Sequence, residues 1–388
     1  MSEMNEVTRE IGMEEITKIL ESEETDEEKI RMVGNVLNPQ NIYNAAGKCI
    51  EYKNSTGQLH RKDGPARVFA FGKVEYYKNG KLHRLDGPAI DYVLSNEQHY
   101  YVDGQLHRTD GPAIISGRES KYYMNGLLHR TDGPAEITEY HKKYYRDGEL
   151  HRENGPAVIH ESGTEMWYIH GKLHRKDGPA YITNEFKKYY VDGQLHRTEG
   201  PAVIYSDGGI EYYINGKCHK DKGPAKISND GTLQYYKHGK CHREDGPAVI
   251  YRNGDFEYYK DGKLHRVDGP AILKNGAIQK YYKDGKLHRT DGPAVIDGNI
   301  STYYVNGLLH RTDGPAQITP DSESWYFEGN MHRTDGPACV YKSGAQYWCF
   351  NGKNHRTDGP AIILPNGFKG YYTDGVMTRL TYNDHQIK

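Results

Sequence analysis

No apolar run in this chain approaches the ~18–20 residues that a membrane-spanning helix requires. Its acidic start has neither the basic segment nor the apolar stretch of a secretory signal. The expectation is a soluble, cytoplasmic protein. Cysteine is scarce: Cys49, Cys218, Cys241, Cys339 and Cys349 show no CxxC spacing and no even framework. Zinc modules and secreted disulfide scaffolds are therefore disfavoured. Hydrophobic residues make up only 36% of the 388, below the ~45–50% of ordinary soluble domains, so a thick core is not expected. Phe and Trp are few as well, 7 and 3 against 34 Tyr. Tyrosine pairs an apolar ring with a hydroxyl that favours water, which suits half-buried positions in a thin structure.

Charge of one sign is lacking overall but not locally. The total is −2, yet residues 1–40 hold eleven acidic against four basic residues, a net −7 that leaves +5 for the rest. That excess is too mild to mark a nucleic-acid protein.

What is abundant is repetition. A His followed by Arg, or once by Lys, recurs fourteen times from His60 to His355 at intervals of 22 to 24 residues, and each copy is followed by Gly-Pro-Ala. A fixed period of this length signals a repeat array, in which each unit buries its apolar surface against its neighbours. Within a repeat, an aromatic pair such as Tyr258-Tyr259 or Tyr281-Tyr282 precedes Asp-Gly or Asn-Gly, the strongest short hairpin signal. The Pro, having no N–H to donate, belongs at a strand start, an edge or a bulge. The β-branched run after it predicts another strand. Adjacent strand residues face opposite ways, so a ladder of Tyr rings is expected on each face, every ring stacked on its counterpart in the next repeat.

The fold expected is an all-β repeat protein: an elongated, twisted, single-layer antiparallel meander of about fourteen hairpin units spanning 46–375. A β-helix-like solenoid is the alternative, and two or three strands per repeat are both open. Residues 376–388, where Thr378 replaces the His, read as a C-terminal cap or tail. In the acidic region 1–45, apolar residues at helical spacing and a Thr25/Glu28 capping box predict a small helical element, which either caps the array or docks a partner.

The order Tyr, Asn/Asp-Gly-Lys, His, then Gly before a β-rich run resembles the MORN repeat over roughly residues 48–375. Where MORN units carry His-Gly-x-Gly this chain has His-Arg-x-Asp-Gly-Pro-Ala, a divergent class associated with large DNA viruses and bacteriophages. The resemblance implies side-by-side hairpins, a scaffolding or dimerising role without catalysis, and a host cytoplasm or virion location.

His288, Arg289 and Asp291, like His265, Arg266 and Asp268, are residue types used in acid–base catalysis. An active site is one constellation, whereas this one is written fourteen times. It reads as a structural turn staple, with Arg reaching the carboxylate beside it. No catalytic residue, metal or cofactor is expected. In a two-strand meander equivalent atoms of neighbouring repeats lie roughly 9.5 Å apart, too far to share an ion or to join Cys218 to Cys241, whereas the rungs of a β-helix, about 4.8 Å apart, would allow that bridge. The exposed candidates for interaction are the aromatics Tyr258, Tyr259, Tyr281, Tyr282, Trp167, Trp325 and Trp348.

Three roles compete. The first is a rigid protein–protein interaction scaffold with an unidentified protein partner, able to self-associate through edge strands or the N-terminal helices. The second is a solenoid holding choline or glycans in aromatic cages. The third is a binder of polyanions or phospholipid headgroups using basic rows such as Lys263, Lys286 and Lys353, although nucleic acid is disfavoured by the nearby Asp residues.

Overall fold

In every repeat after the first, two φ-positive residues close a tight turn: Asp284 at 50° and Gly285 at 84°, for instance. This is the type I′ geometry whose twist matches antiparallel strands. A computed structural model describes residues 49–69 and 72–387, together with Lys18. The chain groups into two compact segments, 1–194 and 195–388. Apart from Lys18, the helical element expected within 1–45 lies outside the described residues.

Both segments are built alike. In the second, Ile272–Lys274 pairs antiparallel with Phe256–Glu257 on one side and with Ile278–Lys280 on the other, and Ile278–Lys280 continues to Val295–Asp297. In the first, Lys73–Glu75 joins Arg67–Phe69 to Ile90–Tyr92 in the same way. Each such strand pairs with its neighbours in the chain, so the sheet is a long antiparallel meander and not the coil of a β-helix.

A repeat carries four short strand segments rather than the two or three anticipated. The outgoing strand, Ile278–Lys280, is interrupted at Tyr281 and resumes as Tyr282–Lys283, which pairs with Lys286–Leu287 across the turn. The returning strand is interrupted at greater length, because residues 289–293 leave the ladder as a loop before Val295–Asp297 rejoins it. Tyr281 spans the break: its N–H donates to the Ala294 carbonyl at 2.8 Å and its carbonyl accepts from the His288 N–H at 3.0 Å. Where the motif is lost, so is the loop. The last return strand, Val376–Tyr382, runs for seven residues opposite Phe368–Thr373, with one bulge between Tyr371 and Tyr372.

The core is thin. Alanine of all fourteen Gly-Pro-Ala motifs, Ala66 to Ala361, is fully buried, joined by Val74, Val203 and a few other small apolar side chains. A methyl group fits where the loop returns to the sheet, and larger chains are carried by the half-buried rings.

Candidate functional site: the interlocking His-Arg-Asp loop

The loop owes its shape to the arginine. Arg289 lays its guanidinium over the Tyr281 ring at 4.0 Å, donates from Nε to Asp291 at 2.9 Å, and donates from a terminal nitrogen to the Pro293 carbonyl at 3.3 Å. Arg266 repeats this on Tyr258, Asp268 and Pro270 at 4.2, 2.9 and 3.2 Å. The side chain thus closes a five-residue loop from inside while its charge rests on a ring face. Glycine at 292 leaves the guanidinium its seat, since a Cβ there would sit 2.9 Å from Arg289 Cζ and push that side chain aside.

Tyrosine stacking between repeats is not how the array is filled. Rings stack at roughly 4.5–7 Å, and repeats two strands wide are about 9.5 Å apart; the rings of Tyr258 and Tyr281 are covered instead by the guanidinium of their own repeat. Tyr259 and Tyr282, the second of each pair, are half-buried, and burial raises their hydroxyls above the ordinary phenol range. The Tyr259 hydroxyl also donates to Glu257 at 2.9 Å.

The three tryptophans occupy the first aromatic position and meet the same partner. Arg175, Arg333 and Arg356 lie 4.1, 4.0 and 4.1 Å from the rings of Trp167, Trp325 and Trp348. One face of each candidate cage ring is therefore covered by the chain's own cation.

Histidine performs a different task from the one its neighbours suggest. In every repeat its Nδ1 accepts the backbone N–H of the φ-positive turn residue of the following repeat: Asp284 to His265 and Asn306 to His288, both at 3.1 Å. At His288, where only that N–H meets Nδ1, the ring hydrogen is then on Nε2. At some turns the side chain of that residue also meets Nδ1, as Asp284 Oδ1 does at 2.9 Å from His265. Further ties join the tips, with Gly285 N–H donating to the Leu264 carbonyl at 2.8 Å and Arg266 N–H to the Tyr282 carbonyl at 3.0 Å. The contacts of the trio run in two directions: Arg and Asp within the loop, His between repeats.

The spacing held a signal for this. Arg stands eight residues after the first aromatic in Tyr258/Arg266, Tyr281/Arg289 and all three Trp repeats. The repeat with Lys220 and Lys222 shows which partner matters, since Lys220 Nζ keeps the place over Tyr212 at 3.8 Å although no Asp stands at 222. Asp221 turns instead toward His219 Nε2 at 3.2 Å.

Successive loops leave shallow clefts of a few hundred Å³, such as one of about 540 Å³ lined by Lys220, Lys222, Tyr235, Lys237, His242 and Arg243. His242 Nε2 is buried there without a hydrogen-bond partner, the Glu244 carboxylate standing 3.5 Å off. Among the described residues, no three His, Cys, Asp or Glu side chains converge as metal ligands would. Cys218 and Cys241 are free thiols, pushed by burial up to about 11 and about 12. No described helix is long and apolar enough to cross a membrane.

No family model and no curated protein matches this chain.

The Arg–Asp contacts carry a pH signature. Hydrogen bonding to Arg266, Arg289 and Arg311 holds Asp268, Asp291 and Asp313 below the ordinary carboxylate value of 3.8. A carboxylate lowered on folding stabilises the folded state above its unfolded pKa, and that contribution is lost as the pH falls through the folded one. The urea midpoint of the native chain should therefore exceed that of the triple variant Asp268→Asn, Asp291→Asn, Asp313→Asn by a constant amount above about pH 5. The difference should shrink as the pH falls below the ordinary carboxylate range and close once it has passed through the lowered folded-state values. These carboxylates are exposed, so the difference will be small; one that persists unchanged into strong acid would refute the ionic part of the staple.

Proposed function

We propose that the chain is a non-catalytic, MORN-like scaffold for protein–protein interaction, its repeats stacked into an extended ribbon. The observation that carries this reading is the use to which the His-Arg-Asp trio is put. Every motif His spends Nδ1 on a backbone N–H of the next repeat, and a loop arginine such as Arg289 is held by a ring, a carboxylate and a carbonyl. Groups so engaged are ill placed to attack or protonate a substrate, since a general base must have its lone pair free toward the reacting proton. The regular exposed tips are suited to docking.

On this reading fourteen repeats at about 9.5 Å would make a rod on the order of 130 Å, and the expected radius of gyration is near 38 Å against about 21 Å for a compact chain of this length. Small-angle scattering on the purified protein should return the larger value. A radius of gyration near the smaller one would overturn the ribbon and, with it, the platform.

A further inference from the structure

The cross-strand partners at the hairpin tips form an unusual series in the second segment. Directly opposed residues in an antiparallel pair sit close enough that like charges destabilise the hairpin. Some tips avoid this, pairing Arg146 with Glu149 or Met124 with Leu127. Three consecutive tips do the opposite: Lys237 faces Lys240, Lys260 faces Lys263, and Lys283 faces Lys286. All six side chains are exposed. Lys237 reaches Glu244 at 3.8 Å, while among the described residues Lys240, Lys260, Lys263, Lys283 and Lys286 form no ion pair.

Nor are these lysines randomly splayed. A Cβ built at Gly262, Gly285 or Gly307 would lie 3.7–3.8 Å from the Cβ of Lys240, Lys263 or Lys286, so each stem is laid against the turn that follows it. The result is a row of paired cations rising by one repeat, about 9.5 Å, at each step. The row is not a uniform basic surface. Asp261 and Asp284 stand in the turns between the paired lysines, drawn toward the motif histidines at 3.3 and 2.9 Å.

We propose that this lysine ladder is a docking site for an extended acidic segment of a partner protein with a carboxylate at every third residue. The ligand spacing follows from geometry, since an extended chain in the polyproline II conformation turns once in three residues and rises about 9.3 Å in doing so, close to one repeat, which returns every third side chain to the same side. Carboxylates so spaced meet one lysine pair each and pass the intervening aspartates with neutral residues. A duplex carries a phosphate charge about every 1.7 Å and would be forced against those aspartates. The proposal deepens the scaffold reading above and rests on it.

The test uses the full-length protein and a fluorescently labelled peptide, (Glu-Ser-Gly)4, whose binding is followed by anisotropy at low salt. The control peptide has the same composition with its four Glu contiguous. The spaced peptide should bind at least tenfold more tightly than the block peptide, and its affinity should fall steeply with salt. The double variant Lys263→Glu, Lys286→Glu should weaken it at least tenfold while unfolding at a temperature no lower than the native chain, because each reversal removes a like-charge pair. Reversal of the isolated pair at Lys78 and Lys81, by Lys78→Glu with Lys81→Glu, should leave the affinity within twofold.

Equal binding of the two peptides, equal loss in the control variant, or tighter binding of a 12-base-pair DNA duplex would each overturn the proposal. Failure here with the larger radius of gyration intact would remove the ladder alone; a compact particle would remove the scaffold as well.

Discussion

Replacing Arg289 by alanine should lower the unfolding free energy of the array by about 2–4 kcal/mol, whereas Asp291→Ala should cost much less. The inequality follows from where the two partners lie. The Arg289 side chain is 22% exposed and engages a ring face and a carbonyl besides Asp291, while Asp291 is 80% exposed and water replaces most of what it offers. Removing the arginine uncovers the Tyr281 ring and leaves the Pro293 carbonyl without its donor; removing the aspartate leaves the guanidinium in place. Arg289→Lys should recover roughly half of the loss, as a charge of similar reach keeps its seat over the ring. The chain already makes that exchange at Lys220 over Tyr212. Urea unfolding of the three variants provides the check, and an Asp291→Ala cost equal to that of Arg289→Ala would mean that the ion pair, and not the ring, organises the loop.

The period, the hairpin turns and the strand after Pro were all legible in the sequence because they depend on residues adjacent along the chain. Asp284-Gly285 adopts φ-positive geometry for reasons contained in those two residues, and Pro293 can only begin a strand or a bulge. What joins one repeat to the next was less visible. The cation over the ring arises from a strand broken at Tyr281 and a loop that brings residue 289 back over it, a contact set by the excursion and not by alternation. The expectation of stacked tyrosines took period-two alternation as given, and the interruption of the ladder at that residue defeats it. Similarly, His265 carries the appearance of chemistry, but its partner is a backbone N–H nineteen residues on, which no side-chain pattern advertises. The lysine ladder lay between the two cases. Lys263, Lys286 and Lys353 were visible as a basic row, yet only the register shows that Lys263 and Lys286 face Lys260 and Lys283, whereas Lys353 faces Phe350.

Enlarging a single motif alanine should be as damaging as removing the arginine. Ala294 is fully buried, and its carbonyl accepts the Tyr281 N–H at 2.8 Å, so its methyl group sits where loop, ring and sheet converge. Ala294→Leu adds volume at a fully buried position, and overpacking of this kind costs about 3 kcal/mol when the backbone must move. Relief would come at the expense of the Tyr281–Ala294 hydrogen bond, which is the seam between the outgoing strand and the returning one. In an array stabilised by nearest neighbours the damage should spread along the chain by loss of contact surface and not remain local. Limited proteolysis should then cut the Ala294→Leu protein first between residues 289 and 297, at a urea concentration where the native chain resists, while Ala294→Gly should cost only about 1 kcal/mol and leave the cleavage pattern unchanged. A leucine variant that unfolds within about 1 kcal/mol of the native chain would show that the loop yields easily, and the interlock between Arg289 and Tyr281 could not then be what fixes the repeat.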